Sequence, residues 1–170
     1  MTRLFEFFLS RWRTTAFLSS ALMLAIAHGF EKIGGLAPCY LCLKQREVYW
    51  VALTAALVGM ILVRTRYGER FRRPANALLG VIFLVGVGVA VYHAGAEWGW
   101  WPGPTICASG GSYVNAADMA AIMKGEGRIA PPSCEKAVWV FLGLSMAGWN
   151  ALISLKLAVL SFLATRKVWA

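Results

Sequence analysis

Residues 38–47 read Pro38-Cys39-Tyr40-Leu41-Cys42-Leu43-Lys44-Gln45-Arg46-Glu47, and residues 48–63 continue as VYWVALTAALVGMILV. A Cys-x-x-Cys pair therefore leads straight into an apolar run that meets no further charge before Arg64. A helix needs about 17 to 25 mostly apolar residues to cross a hydrocarbon core, so this run spans only if its helix starts upstream, near Cys39. Proline suits the first helical position, where its missing N–H is not needed, and Pro38 marks such a start. Working outward, residues 14–30, 74–92 and 137–164 are comparably apolar.

With 170 residues, 59% of them hydrophobic and 15% charged, and a mean hydropathy of +0.60, the chain is too apolar for a water-soluble domain of this size. Unpaired backbone cannot face lipid. The expected fold is all-α, an integral membrane four-helix bundle forming a single domain over 1–170. Its spans are placed at 14–30, 43–63, 74–92 and 140–164, with loops 31–42 and 93–136 on one side and 64–73 on the other. Small residues four apart, Ala52/Ala56 and Ala55/Gly59, would let helices approach closely. No internal repeat or low-complexity segment stands out.

The net charge of +9 could suggest nucleic acid, but its distribution argues against that. Arg3, Arg11 and Arg13 against Glu6, five arginines between 64 and 73 against Glu69, and Arg166 with Lys167 together hold nearly all of the excess. In the alternate segments Lys32, Lys44, Arg46, Lys124, Arg128 and Lys136 are matched by as many acids. By the positive-inside rule both termini and the 64–73 link are cytoplasmic. All four cysteines then lie across the membrane, which in a bacterium is the oxidising periplasm. Arg11, Arg13 and Ala25-Ile26-Ala27 also resemble a signal peptide; its cleavage would cost the bundle a helix, and it would leave the cysteines outside.

In the long 93–136 loop, Trp98, Trp100 and Trp101 suit the membrane interface and Pro102-Gly103-Pro104 breaks any helix. Met119, Ile122 and Met123 share one side of a short helix expected along the membrane surface.

Cys39 and Cys42 are expected in the first turn of the second span, where exposed N–H groups and the helix dipole favour thiolates. Cys39, Cys42 and Arg46 fall at i, i+3 and i+7, one helical face. A guanidinium there favours the Cys42 thiolate and can donate to a ligand's carbonyl oxygen. Lys44 reads as a snorkelling interfacial cation. The second pair, Cys107 and Cys134, brackets 26 residues. As a structural clasp it would contribute roughly 3 to 4 kcal/mol; beside a low-pKa pair, thiol-disulfide exchange is the simpler use for both.

Other uses fit less well. A zinc site of four cysteines needs shorter spacing in the second pair, and no metal is expected. Leu43 stands where c-type haem attachment requires histidine. There is no Gly-x-Gly-x-x-Gly loop for a flavin or nicotinamide, and the histidines are only His28 and His93. Electrons leaving Cys39/Cys42 should therefore pass to a lipid-soluble acceptor, and a membrane quinone fits.

Pro38-Cys39-Tyr40-Leu41-Cys42 with Gln45-Arg46, a second cysteine pair between the third and fourth spans, and Phe141-Leu142-Gly143-Leu144 after the last cysteine closely resemble the disulfide bond formation protein B (DsbB) family. The vitamin K epoxide reductase family shares the four-helix logic, but its membrane Cys-x-x-Cys lies late in the chain. The resemblance implies an inner-membrane protein-disulfide:quinone oxidoreductase that regenerates a periplasmic DsbA-like thioredoxin-fold oxidase. By position, Cys107 would form the mixed disulfide with the partner, Cys134 would exchange with the inner pair through Cys39, and Cys42 would face ubiquinone or menaquinone beside Arg46. His93, ending the third span, is expected near the quinone or in proton transfer. Lys156 is expected to approach the cytoplasmic interface, with the last span shifted toward Ala137, and has no catalytic role. The alternatives are a quinone-linked reductase of the vitamin K epoxide reductase type and a non-enzymatic membrane protein with a structural disulfide or zinc site.

Overall fold

The computed structural model describes residues 7–66, 68–105 and 133–166. Among these, four long helices follow one another: α1 (Trp12–Lys32), α2 (Tyr40–Val63), α3 (Gly68–Glu97) and α4 (Met146–Arg166). A small hairpin, β1 (Val140–Phe141) and β2 (Leu144–Ser145), precedes α4. Helices α2, α3 and α4 are long and apolar enough to cross a membrane. Helix α1 matches α4 at 21 residues, but Thr14, Thr15, Ser19, Ser20 and His28 interrupt its apolar run. The packing is sequential: α1 lies along α2, α2 along α3, and α3 along α4.

The helices turn large apolar side chains outward and bury polar ones. Leu18, Leu22, Val51, Ile61 and Val85 are each more than half exposed, while Ser20, Gln45, Asn76, Asn150, Ser154 and Ser161 are buried. Water would drive the opposite arrangement. In lipid the apolar faces are solvated and polar groups seek each other between helices. Thus the Trp12 indole N–H donates to Ser161 Oγ at 2.9 Å, joining α1 to α4, and the Asn76 amide donates to the Ala164 carbonyl at 3.1 Å, joining α3 to α4. Ala52 and Ala56 are fully buried on α2, as their spacing suggested, and Gly59 extends the same contact.

Three boundaries differ from the sequence reading. Helix α2 begins at Tyr40 with Cys39 as its N-cap, so Pro38 precedes the cap instead of opening the helix. Helix α3 begins at Gly68 and carries Pro74 inside it, ahead of the apolar run that set the expected start. Helix α4 begins at Met146 because residues 140–145 turn back on themselves, pairing Val140 with Ser145 and Phe141 with Leu144. Leu142 at φ 51° and Gly143 at φ 77° make that turn, the left-handed pair a two-residue hairpin requires. This later start overturns the expected shift of the last span toward Ala137. Lys156 sits midway along α4 on an exposed face, where a lysine must snorkel.

A Cβ on Gly80 of α3 would lie 2.8 Å from the Phe162 ring of α4. Gly80→Ala should therefore destabilise by about 1–3 kcal/mol and lower the thermal midpoint in detergent. Gly88→Ala, with nothing within 4 Å, should not lower it.

Candidate functional site

The site is built at the start of α2. Cys39 takes the N-cap role that serine or aspartate usually fills, its Sγ accepting the Cys42 backbone N–H at 3.2 Å. One turn closes between the two cysteines, bringing their sulfurs to 2.7 Å as free thiols. From α3, His93 Nε2 approaches Cys39 Sγ at 3.5 Å. The Cys39 thiol, which precedes the span, is pulled from the ordinary thiol range down to about 4. Hydrogen bonding to the Cys42 thiol is the chief cause, and His93 and the Cys42 N–H add to it, against the opposing effect of burial.

His93 is itself held by a buried chain of side chains. The Tyr49 hydroxyl donates to Asn150 Oδ1 at 2.5 Å, and Asn150 Nδ2 donates to Gln45 Oε1 at 2.5 Å. Gln45 is thereby left with its amide nitrogen facing His93 Nδ1 at 2.7 Å. With both amides in this orientation Nδ1 accepts and the ring proton is on Nε2, facing Cys39; turning both amides over moves it to Nδ1. Ser154 ends the chain, 3.0 Å from the Tyr49 hydroxyl. Glu97, one turn beyond His93, places Oε1 at 3.6 Å from His93 Nε2, and its side chain is only 7% exposed. The Oε2 of this carboxylate is buried without a hydrogen-bond partner.

Arg46 departs from the expectation. Its guanidinium forms an ion pair with Glu31 of α1 and donates to the Ala27 carbonyl at 2.9 Å. An acid across the helix pair competes for it, so the groups that converge on the cysteines belong to His93 and the α2 N-terminus. Arg46 nevertheless lines the same cavity as Cys39, Cys42 and His93. This cavity, of about 360 Å³, is otherwise walled mainly by apolar side chains, among them Leu24, Ala27, Phe30, Trp149 and Ile153. The Trp139 ring stacks on Phe141 at 5.7 Å at its hairpin side.

Cys134 is buried, disulfide-bonded, and packed in one cluster with Cys39 and Leu41, so a member of the second pair sits against the first. Cys107 and the expected surface helix lie outside the described residues. Among the described loop residues, Trp98 and Trp100 are exposed, whereas Trp101 stacks on Tyr92 and donates to its carbonyl at 2.8 Å. The sequence reading did not find Gln45, Tyr49, Asn150, Glu31 or Glu97 as site residues. For Gln45, Tyr49 and Asn150 the available signal was a polar group in an apolar helix, which in lipid demands a partner.

The family model described as "Disulfide bond formation protein DsbB" matches residues 10–164. The chain is 30% identical over 163 residues to disulfide bond formation protein B of Marinobacter nauticus, covering 89% of each. It is 32% identical over 159 residues to the protein of the same name from Methylococcus capsulatus, covering 86% of this chain and 88% of the relative. The like-named protein of Nitrosococcus oceani is 29% identical over 154 residues, 85% of this chain and 84% of the relative. No solved structure matches the chain.

A lowered thiol predicts a pH dependence of definite sign. The folded Cys39 is a thiolate above about pH 4, so the stability this charge confers on the reduced protein is present at high pH and lost as pH falls through about 4. Thiolate absorbance of the fully reduced protein should show an early step with its midpoint near that pH. Cys39→Ser should remove the step, and His93→Ala should move it upward.

Proposed function

This chain belongs to the disulfide bond formation protein DsbB family, and we propose that it reoxidises a periplasmic DsbA-like thiol oxidase and passes the two electrons to a membrane quinone. In this reading 1–170 is one four-helix membrane domain, α1 being the further span. Both termini are cytoplasmic and the cysteine end is periplasmic, as the charge asymmetry supports. The observation that carries the proposal is the placement of free Cys39 and Cys42 in an apolar cavity, with disulfide-bonded Cys134 packed against Cys39.

The partner's thiolate attacks Cys107, breaking its bond to Cys134 and leaving Cys134 as a thiolate. Cys134 then attacks Cys39 of the oxidised inner pair, and Cys42 departs as a thiolate. The partner's second thiol resolves the mixed disulfide at Cys107 and leaves the partner oxidised. The Cys107 thiolate closes on Cys134, freeing Cys39. The inner pair then holds two electrons, which is the state of Cys39 and Cys42 described above.

The quinone enters as an exchangeable substrate and leaves as quinol, taking two electrons and two protons. An apolar cavity of about 360 Å³ suits a flat ring carrying an isoprenoid tail. Cys42 would face the ring, and the Arg46 guanidinium, always charged, would donate to a ring oxygen as negative charge develops there. His93 holds its proton on Nε2 toward the sulfurs, where it can be passed on; Gln45 and Asn150 orient it.

Quinone reduction by the purified protein, supplied with a reduced thioredoxin-like partner, tests this scheme. Cys42→Ser and Cys107→Ser should each abolish turnover, and wild-type rates in either would refute the relay. Arg46→Ala should lower quinone turnover about 100-fold while disulfide exchange with the partner persists. Equal loss of both would assign Arg46 to the fold through Glu31.

A further inference from the structure

Cys39 Sγ, Cys42 Sγ and a ring nitrogen of His93 all lie within 4.8 Å of one another. Zinc holds thiolate sulfur at about 2.3 Å and imidazole nitrogen at about 2.0–2.1 Å in a tetrahedron, so a sulfur and a nitrogen on one ion stand about 3.5 Å apart. The separation of Cys39 Sγ from His93 Nε2 is 3.5 Å. A nitrogen and a carboxylate oxygen on one ion stand about 3.4 Å apart, and His93 Nε2 lies 3.6 Å from Glu97 Oε1. Among the three ligands Cys39, Cys42 and His93, the Cys39–His93 edge is thus already at length. The edge between the sulfurs must open from 2.7 Å to about 3.8 Å, a rotation of Cys42 toward the cavity it lines. Cys-x-x-Cys is a usual ligand spacing for this metal class.

The orphaned oxygen of Glu97 points the same way. The Glu97 side chain is 7% exposed, Oε1 reaches the His93 ring and Oε2 is buried without a partner, so an acid with spare acceptor capacity borders the site. The hydrogen-bond chain behind His93 accommodates a cation. A metal on Nε2 requires the ring proton on Nδ1. If both amides turn over, Nδ1 donates to Gln45 Oε1, Gln45 to Asn150 Oδ1, Asn150 to the Tyr49 oxygen, and Tyr49 to Ser154. Every group keeps a partner, because the hydroxyls at the far end can give or take the bond.

We infer that the reduced Cys39/Cys42 pair, with His93, is a binding site for one thiophilic divalent cation of the zinc and cadmium class, with the acid Glu97 bordering it at the His93 corner, and that occupancy blocks electron delivery from these sulfurs. Binding displaces the remaining thiol proton to solvent and changes no oxidation state. Oxidation of the pair to a disulfide removes both sulfur ligands, so the site exists only in the reduced protein. It rests on the same cysteine end as the proposed quinone reaction, and the metal would be an inhibitor of that reaction.

Cadmium is the probe, titrated into the full-length protein in detergent. The reduced protein should bind one equivalent with a thiolate-to-cadmium absorbance band, and zinc should displace it. The oxidised protein should show no band. Cadmium-113 resonance should report two sulfurs with nitrogen and oxygen, and Cys107→Ser/Cys134→Ser should retain the site. His93→Ala should weaken affinity at least about tenfold, and Glu97→Gln should weaken it severalfold. Equal binding to oxidised protein, a four-sulfur resonance, or loss of binding in the Cys107→Ser/Cys134→Ser protein would overturn the inference. These are binding readouts on wild-type and outer-pair variants, so they decide the site even if the metal-free protein reduces no quinone or His93→Ala does not fold. Quinone reduction, where present, should stop on adding cadmium and return with a chelator.

Discussion

The hydrogen bond from the Cys42 N–H to Cys39 Sγ organises everything at the cysteine end of this molecule. It caps α2 with a sulfur, and a helix N-terminus favours whichever group there carries negative charge. It also sets which cysteine is which. Cys39 sits at the cap, buried against Cys134 and within reach of His93; Cys42 sits nearly a full turn further on, half-buried on the cavity wall. Two chemically identical residues three apart thus differ in their surroundings: Cys39 is buried in the cluster with Cys134, and Cys42 is half-buried at its edge.

That asymmetry needs a rigid wall behind it, and lipid supplies the reason for one. Where the outer faces of α2, α3 and α4 are apolar, the polar groups of their inner faces have nowhere to go but each other. Tyr49, Asn150, Gln45 and His93 are drawn into one chain across three helices. The chain is satisfied throughout, so it fixes the direction of the His93 ring. A half-satisfied network would leave the ring free to turn.

Arg46 shows how the same economy redirects a residue. Read along α2 alone, it shares a face with the cysteines. In the folded molecule Glu31 arrives from α1, and two opposite charges near lipid pair in preference to standing alone. The guanidinium still borders the cavity, where pairing holds it in place and leaves donors to spare.

Membrane character, the rough extent of the apolar helices, the separation along the chain of cysteines from the arginine-rich segments, and the Cys39/Cys42 pair at a helix start were all legible in the chain. Each depends on local composition or on spacing within one helix, which the sequence contains. The contacts were not legible: Glu31 with Arg46, Asn150 with Gln45 across 105 positions, Cys134 against Cys39, and the turn at Leu142-Gly143 that delays α4. Those depend on which faces of different helices meet, and a one-dimensional pattern has no term for that. Sequence by itself determined that one cysteine pair would open an apolar helix and that the other two cysteines would fall between the last two apolar segments; only the tertiary structure decided that His93, with Glu97 beside it, would meet the inner pair, because α3 must turn its one buried histidine toward the polar interior.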